Sequence, residues 1–238
     1  MLNTVLFDLD GTLLPLDQDV FIETYFKMLA GTMAKKGFDP KQIIKGVTYG
    51  TMAMLKNDGG AFNCDRFWAA FSEFFGQDMS VYMPDFDAFY QTAFDNVKSV
   101  TYPDARAAEC VRRLKAKGYT VAVATSPVFP EIATRKRLAW AGLNWEEFAL
   151  VTTYDNCTFC KPNPAYYREV LAKIGKTAEE CLMVGNDVDE DMGTSALGMD
   201  VFLLHPWVLN RKNKPYEHFA QGDFDALLAK IDALPALK

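Results

Sequence analysis

Five short apolar runs, at residues 5–9, 120–124, 148–151, 181–184 and 201–204, constrain this chain more than any other feature. Each is too short for a core helix and reads as a strand buried on both faces. Between the later runs lie helix-period patterns at 104–117, 130–141 and 164–174, with Gly118, Gly142 and Gly175 placed as stops. Alternating strands and helices imply parallel neighbours with helices on both faces of the sheet. The expected fold is α/β, a doubly wound, Rossmann-like parallel-sheet core that binds ligands at the carboxyl ends of its strands.

The alternation is interrupted once. Residues 16–98 hold no convincing strand but several amphipathic helical patterns, the clearest being Phe67, Phe71, Phe74 and Phe75. Breaks at Lys36-Gly37, Asn57-Asp58-Gly59-Gly60 and Met83-Pro84-Asp85 divide the segment into four helices. Its place just after the first strand makes it an inserted α-helical cap, leaving residues 1–15 and 99–238 as the core. The aromatic residues concentrated there fill a small helical core, and a few could line a substrate pocket. The Gly-rich stretch 57–63 either reaches the active site or is only a turn. The last segment, a loop at 205–222 and then a helix capped by Asp223, reads as packing without chemistry.

Composition narrows the partners. A net charge of −6 and a pI near 5.0 argue against nucleic acid, which calls for a basic face. No uncharged run approaches the roughly 18 residues of a membrane span, and Asp8 and Asp10 interrupt any leader-like start. Five scattered cysteines do not form a disulfide framework. A cytoplasmic protein without a targeting segment is expected, with oligomeric state unreadable.

Polar residues gather where the apolar runs end. Asp8 and Asp10 follow the first run, Thr125 and Ser126 the second, and Asn186, Asp187 and Asp191 the fourth; Lys161 precedes the helix at 164–174. In a parallel sheet all of these meet along one edge. Two carboxylates spaced i, i+2 on an extended segment point the same way, and they are tolerated where a cation lies between them or one holds a proton. A carboxylate can attack phosphorus and form an aspartyl phosphate. Asp8 and Asp187 can hold Mg²⁺, Lys161 can supply a second positive charge, and Thr125 can donate to phosphoryl oxygens. Ser126 offers its backbone N–H. Asp10 can protonate the leaving alcohol and then activate water.

Together these motifs resemble the haloacid dehalogenase superfamily, in its phosphatase branch with an inserted helical cap, of the phosphoglycolate phosphatase type. The likeness rests on DxDGT at Asp8 to Thr12, the strand-terminal Thr125, Lys161-Pro162 and the acidic motif after Gly185. It implies Asp8 as nucleophile, Asp10 as general acid and base, and Thr125 and Lys161 as phosphate ligands. It also implies Mg²⁺ on Asp8, Asp187 and the Asp10 carbonyl, with Asp191, Asn186 and Thr12 in support. Dehalogenases and phosphonoacetaldehyde hydrolases of this superfamily lack the second aspartate, so Asp10 points away from both. The β-phosphoglucomutase-like members use a cap histidine, whereas the only histidines here are His205 and His218, in the last loop. Hydrolysis of a small phosphorylated metabolite is the favoured reaction; a phosphomutase-like sugar-phosphate isomerase and a non-catalytic binding protein on the same fold are the alternatives.

Two assignments stay open at this level. Asn186 or Asp187 occupies the metal-facing position, with Asp189 and Glu190 as solvated or helix-terminal charges. Cys157 and Cys160 are either incidental thiols or, so close to Lys161, a point where oxidation inhibits.

Overall fold

The computed structural model describes residues 1–237. Its centre is a five-stranded, wholly parallel sheet of β1 (Thr4–Phe7), β2 (Thr120–Val123), β3 (Cys181–Gly185), β4 (Asp200–Leu204) and β5 (Gln221–Gly222), in the order β2-β1-β3-β4-β5. β1 lies between β2 and β3, so the chain leaves it in one direction and later returns on its other side. That reversal opens a crevice at its carboxyl end. Strand alternation divides the core in two. Val5, Phe7, Val121, Val123, Leu182 and Val184 join one apolar cluster, while Leu6, Ala122, Cys181 and Met183 join the other. Helices α5 (Ala105–Ala116) and α8 (Phe224–Ala233) cover the first face, and α7 (Pro164–Ile174) covers the second. Asp104, Asn163 and Asp223 cap these three helices with their side chains.

The run at 148–151 is not a full strand. It pairs with β2 only through an isolated bridge at Val151, because the hydrogen bonds slip by one residue. Ala149 N–H donates to the Val121 carbonyl, but Val123 N–H reaches the Leu150 carbonyl rather than that of Ala149. The loop at 205–222 also carries more structure than its composition suggests, since it ends in β5 and its Leu209 bridges to Asp187.

Between β1 and α5 stand α1 (Gln18–Ala34), α2 (Pro40–Leu55), α3 (Asn63–Phe75) and α4 (Met83–Gln91), the four helices expected of the cap, with 3₁₀ turns at Ser80–Tyr82 and Ala93–Val100. The chain leaves and re-enters the core side by side, with Leu16 bridged to Thr101 and Tyr102 N–H donating to the Pro15 carbonyl at 2.8 Å. α2 and α3 pack closely because Gly46 and Gly50 leave room for rings. A Cβ on Gly50 would lie 2.6 Å from Phe67, and one on Gly46 would lie 2.8 Å from Phe71. The stretch at 57–63 is a docking element. Asn63 is fully buried, its N–H donates to the Cys157 carbonyl, and its side-chain amide donates to the carbonyls of Pro127 and Phe159. Among the described residues no helix is long and apolar enough to cross a membrane.

Candidate active site

The carboxyl end of β1 continues hydrogen bonding for one residue, Asp8 N–H to the Val184 carbonyl at 2.9 Å, before the chain turns. The turn is tight because Gly11 takes a φ of +83°, and a Cβ there would run into the Asn186 amide. Each of the two carboxylates meets its own side-chain cation. Asp8 accepts from Lys161 Nζ at 2.8 Å, whereas Asp10 pairs with the Arg137 guanidinium.

Lys161 is almost fully buried between Asp8 and Asp191, whose Oδ1 lies 2.6 Å from its Nζ. Its position before α7 sets it at the positive end of a helix, and the two carboxylates make that position favourable. Burial pulls the Lys161 ammonium down, but Asp191 and Asp8 outweigh this and hold it well above the usual lysine range. Burial pushes the Asp8 carboxyl up from its ordinary value, and Lys161 opposes that shift. Asp191 is lifted to about 6, again by burial first. Its second oxygen accepts the Asp187 N–H at 3.0 Å, a close approach that needs glycine at 185, since a Cβ there would collide with that carboxylate.

Arg137 is a residue that sequence reasoning missed. It lies on α6 (Glu131–Trp140), buried, with its guanidinium 4.4 Å from the Phe129 ring centre and bonded to Thr134 Oγ1 at 3.1 Å. The available signal was an arginine at i+4 from Ala133, beside Leu138 on the inward face of the helix. Burial raises Asp10, and Arg137 opposes this. One Asp10 oxygen, Oδ1, remains buried without a hydrogen-bond partner.

Asn186 is committed elsewhere. Its Oδ1 accepts from Thr12 Oγ1 at 3.1 Å, and its Nδ2 donates to the Trp207 carbonyl at 2.6 Å. Asp187 lines the same cleft with a carboxylate lifted by burial, its Oδ1 accepting the N–H groups of Asp189 and Glu190. Glu190 is not a solvated charge. It lines the cleft, and burial raises it to about 7. Arg211 comes to the cleft from the loop that had been assigned no chemistry, with Nη1 3.6 Å from Asp187 Oδ2.

The cleft measures about 200 Å³ and brings together Asp8, Asp10, Thr125, Ser126, Asp187 and Asp191 under Ile22, Thr51 and Leu55 of the inserted helices. Lys161 and Thr12 stand behind its wall. The donor set suits a hard cation. Among the described residues no group of three or more His, Cys, Asp or Glu is gathered tightly enough to hold a metal. Mg²⁺ needs fewer, taking one or two carboxylates with carbonyl, water and phosphate oxygens. Asp8 and Asp187 supply two all-oxygen ligands at one cleft, so the residues present fit that ion. Cys157 and Cys160 are buried, and burial pushes both thiols up to about 12. The reactive thiolate is therefore scarce at neutral pH, which favours the reading of incidental thiols over oxidative control.

A doubly wound core, a helical insertion after its first strand and a lysine clamped between two carboxylates at the central strand's end define a carboxylate-centred α/β hydrolase. The chain belongs to the haloacid dehalogenase-like hydrolase family, whose model matches residues 2–196. It is 27% identical over 241 residues to a glyceraldehyde 3-phosphate phosphatase of Methanothermobacter thermautotrophicus, covering 100% of this chain and 99% of that protein. A phosphoglycolate phosphatase of Mesorhizobium japonicum is 24% identical over 232 residues, with coverage of 95% and 93%. Among solved structures, a HAD phosphatase from Thermococcus onnurineus superposes with a TM-score of 0.60 at 20% identity, covering 99% of this chain and 100% of that one.

Proposed function

We propose that this hydrolase is a phosphomonoesterase acting on a small phosphorylated metabolite through an aspartyl phosphate on Asp8. The observation that carries the reading is the buried Lys161, 2.8 Å from Asp8 and 2.6 Å from Asp191, which opposes the burial that favours protonating Asp8, a residue lining the cleft. The similarity to two phosphatases along nearly the whole chain supports it.

In the first half-reaction an Asp8 oxygen attacks phosphorus, an O–P bond forms, and the bond to the alcohol breaks. Asp10, raised by burial, gives its proton to the departing alkoxide. Asp10 then takes a proton from water, whose oxygen displaces Asp8 and releases inorganic phosphate. Thr125, with the backbone of Ser126, donates to the phosphoryl oxygens, and the Lys161 ammonium adds positive charge behind Asp8. Asp8, Asp187 and the Asp10 carbonyl would hold Mg²⁺, which when bound neutralises phosphoryl charge. Residues 16–98 act as the cap, and 1–15 with 99–238 as the core. We expect cytoplasmic residence, no nucleic-acid partner and no membrane partner.

Isomerisation is disfavoured because residues 16–98 contain no histidine to control the acid and base. A binding role is disfavoured because the acidic and basic set is complete. The test is phosphate release from phosphoglycolate, sugar phosphates and nucleoside monophosphates, with Mg²⁺ and with EDTA, beside Asp8→Asn. Equal release by wild type and Asp8→Asn would refute the reading, and isomer formation without release would favour the mutase.

A further inference from the structure

Against the catalytic cleft lies a second and larger cavity, of about 260 Å³, which shares Ile22, Thr51, Val128 and Phe129 with it. Its remaining walls are mostly aromatic, among them Tyr25, Phe67, Trp68, Phe86 and Tyr90. No lysine, arginine, histidine or carboxylate lines it. Several of its polar atoms are already spoken for: the Tyr25 and Tyr90 hydroxyls bond one another at 2.9 Å, and the Thr48 hydroxyl donates to the Ile44 carbonyl at 2.8 Å. Met52 and Leu55, on the same helix, leave about 43% and 41% of their surfaces exposed, Met52 lining the aromatic cavity and Leu55 the catalytic cleft.

We infer that the preferred substrate is a phosphomonoester of an apolar alcohol, with its phosphate in the carboxylate cleft and its hydrocarbon portion in the aromatic cavity. The inference rests on the phosphatase reading and specifies its leaving group. Size and chemistry agree. The void exceeds the roughly 150 Å³ that takes up a benzene molecule in an apolar protein interior. A hydroxyl or carboxylate on the substrate's far end would instead lose water without gaining a charged partner on these walls. With the phosphate in the cleft that Asp10 lines, the ester oxygen would fall toward the junction of the two spaces, which Phe129 flanks on both sides. Each methylene moved from water into such a cavity is worth about fourfold in binding, as long as the chain fits.

The experiment measures phosphate release, with Mg²⁺, from n-alkyl phosphates of increasing length from ethyl to octyl, against phosphoglycolate and glycerol 3-phosphate. Wild type and Thr48→Trp, which fills the cavity from an exposed helix position, are compared with Asp8→Asn. The expected result is a kcat/KM that climbs several-fold per methylene to a maximum, exceeds that of phosphoglycolate by tenfold or more, and loses its length dependence in Thr48→Trp. A flat series, or a preference for phosphoglycolate, with release still abolished in Asp8→Asn, overturns the apolar-substrate inference and leaves the phosphatase reading standing. Release no greater in wild type than in Asp8→Asn removes the phosphatase reading and, with it, the inference. Calorimetric titration with hexan-1-ol reads the cavity directly: saturable binding lost in Thr48→Trp supports it, and no binding to wild type overturns it.

Discussion

Replacing Lys161 by methionine keeps most of the side-chain volume and removes one charge from between two buried carboxylates. Both charge-assisted hydrogen bonds, at 2.8 and 2.6 Å, disappear, leaving Asp8 and Asp191 facing each other without a cation. Breaking a buried ion pair by removing one partner costs about 3–5 kcal/mol. That is a large part of the roughly 5–15 kcal/mol that holds a domain together, and it lowers Tm by about 6–20 °C in a chain of this size. Phosphate release should fall about 10²–10³-fold, as when a preorganised donor to transition-state charge is lost. The defect has a pH signature. Lys161 holds both carboxyls down against burial, so without it their folded-state values rise further above those of the unfolded chain. A group with a raised value is protonated more readily in the folded state, so the penalty is full above both values and fades as pH falls through them. Calorimetry at pH 7.5 and pH 5.0 reads this directly. A variant within about 1 kcal/mol of wild type at pH 7.5, or a defect that does not shrink at pH 5.0, would refute the reasoning.

Gly185→Ala drives a Cβ into Asp191, so both the Lys161 clamp and the Asp187 N–H contact should loosen; phosphate release falls at least about tenfold and Tm drops with it. Arg137→Met removes the cation that opposes the rise of Asp10, so the limb of the pH–rate profile carried by Asp10 should move to higher pH; an unmoved profile would sever Arg137 from the chemistry. Glu190 and Asp191 have folded values near 7 and 6, above their ordinary 4.5 and 3.8, so their contribution to stability is present at low pH and is lost as pH rises through those values. EDTA-treated protein should therefore melt higher at pH 5.5 than these groups allow at pH 7.5, and Mg²⁺ should stabilise more at pH 7.5; an Mg²⁺ effect independent of pH would count against the cleft as the ion's site.

What the sequence made legible was whatever depends on local pattern. Strands buried on both faces announce themselves as apolar runs, and the residues at their ends are carried by topology to one edge, so Asp8, Asp10, Thr125, Ser126 and Asp187 were found together in the cleft. What stayed hidden depends on pairing across the fold. Arg137 meets Asp10 across 127 positions, and nothing near either residue announces the other. Arg211 reaches the cleft because residues 207–209 run alongside Asn186, with Trp207 stacked on Tyr102 at 5.2 Å between ring centres. Likewise, composition marked 148–151 as apolar, but a one-residue slip in hydrogen bonding decided that it would not extend the sheet. The aromatic residues of the insertion were read as core filling, with a few left free to line a substrate pocket. They do form a core, yet the same rings leave a void on the side facing β1's carboxyl end, a property of spacing rather than of residue type.

The docking of Asn63 changes what kind of cover the insertion is. A lid fastened along one seam, here the paired segments at Leu16 and Thr101, can swing. This one is fastened at a second seam, through Asn63 and Cys64 N–H bonds to the Cys157 and Tyr154 carbonyls and the Asn63 side-chain amide bonds to the Pro127 and Phe159 carbonyls. Swinging it open would exchange those bonds for bonds to water, at a net cost of about 0.5–1.5 kcal/mol each. On the proposed reading, the cover would behave as a roof fixed at two seams, with the half-exposed Met52 and Leu55 at its edge. Under that reading, a roof held at both ends would select substrates by the shape of a fixed space rather than by a closing motion.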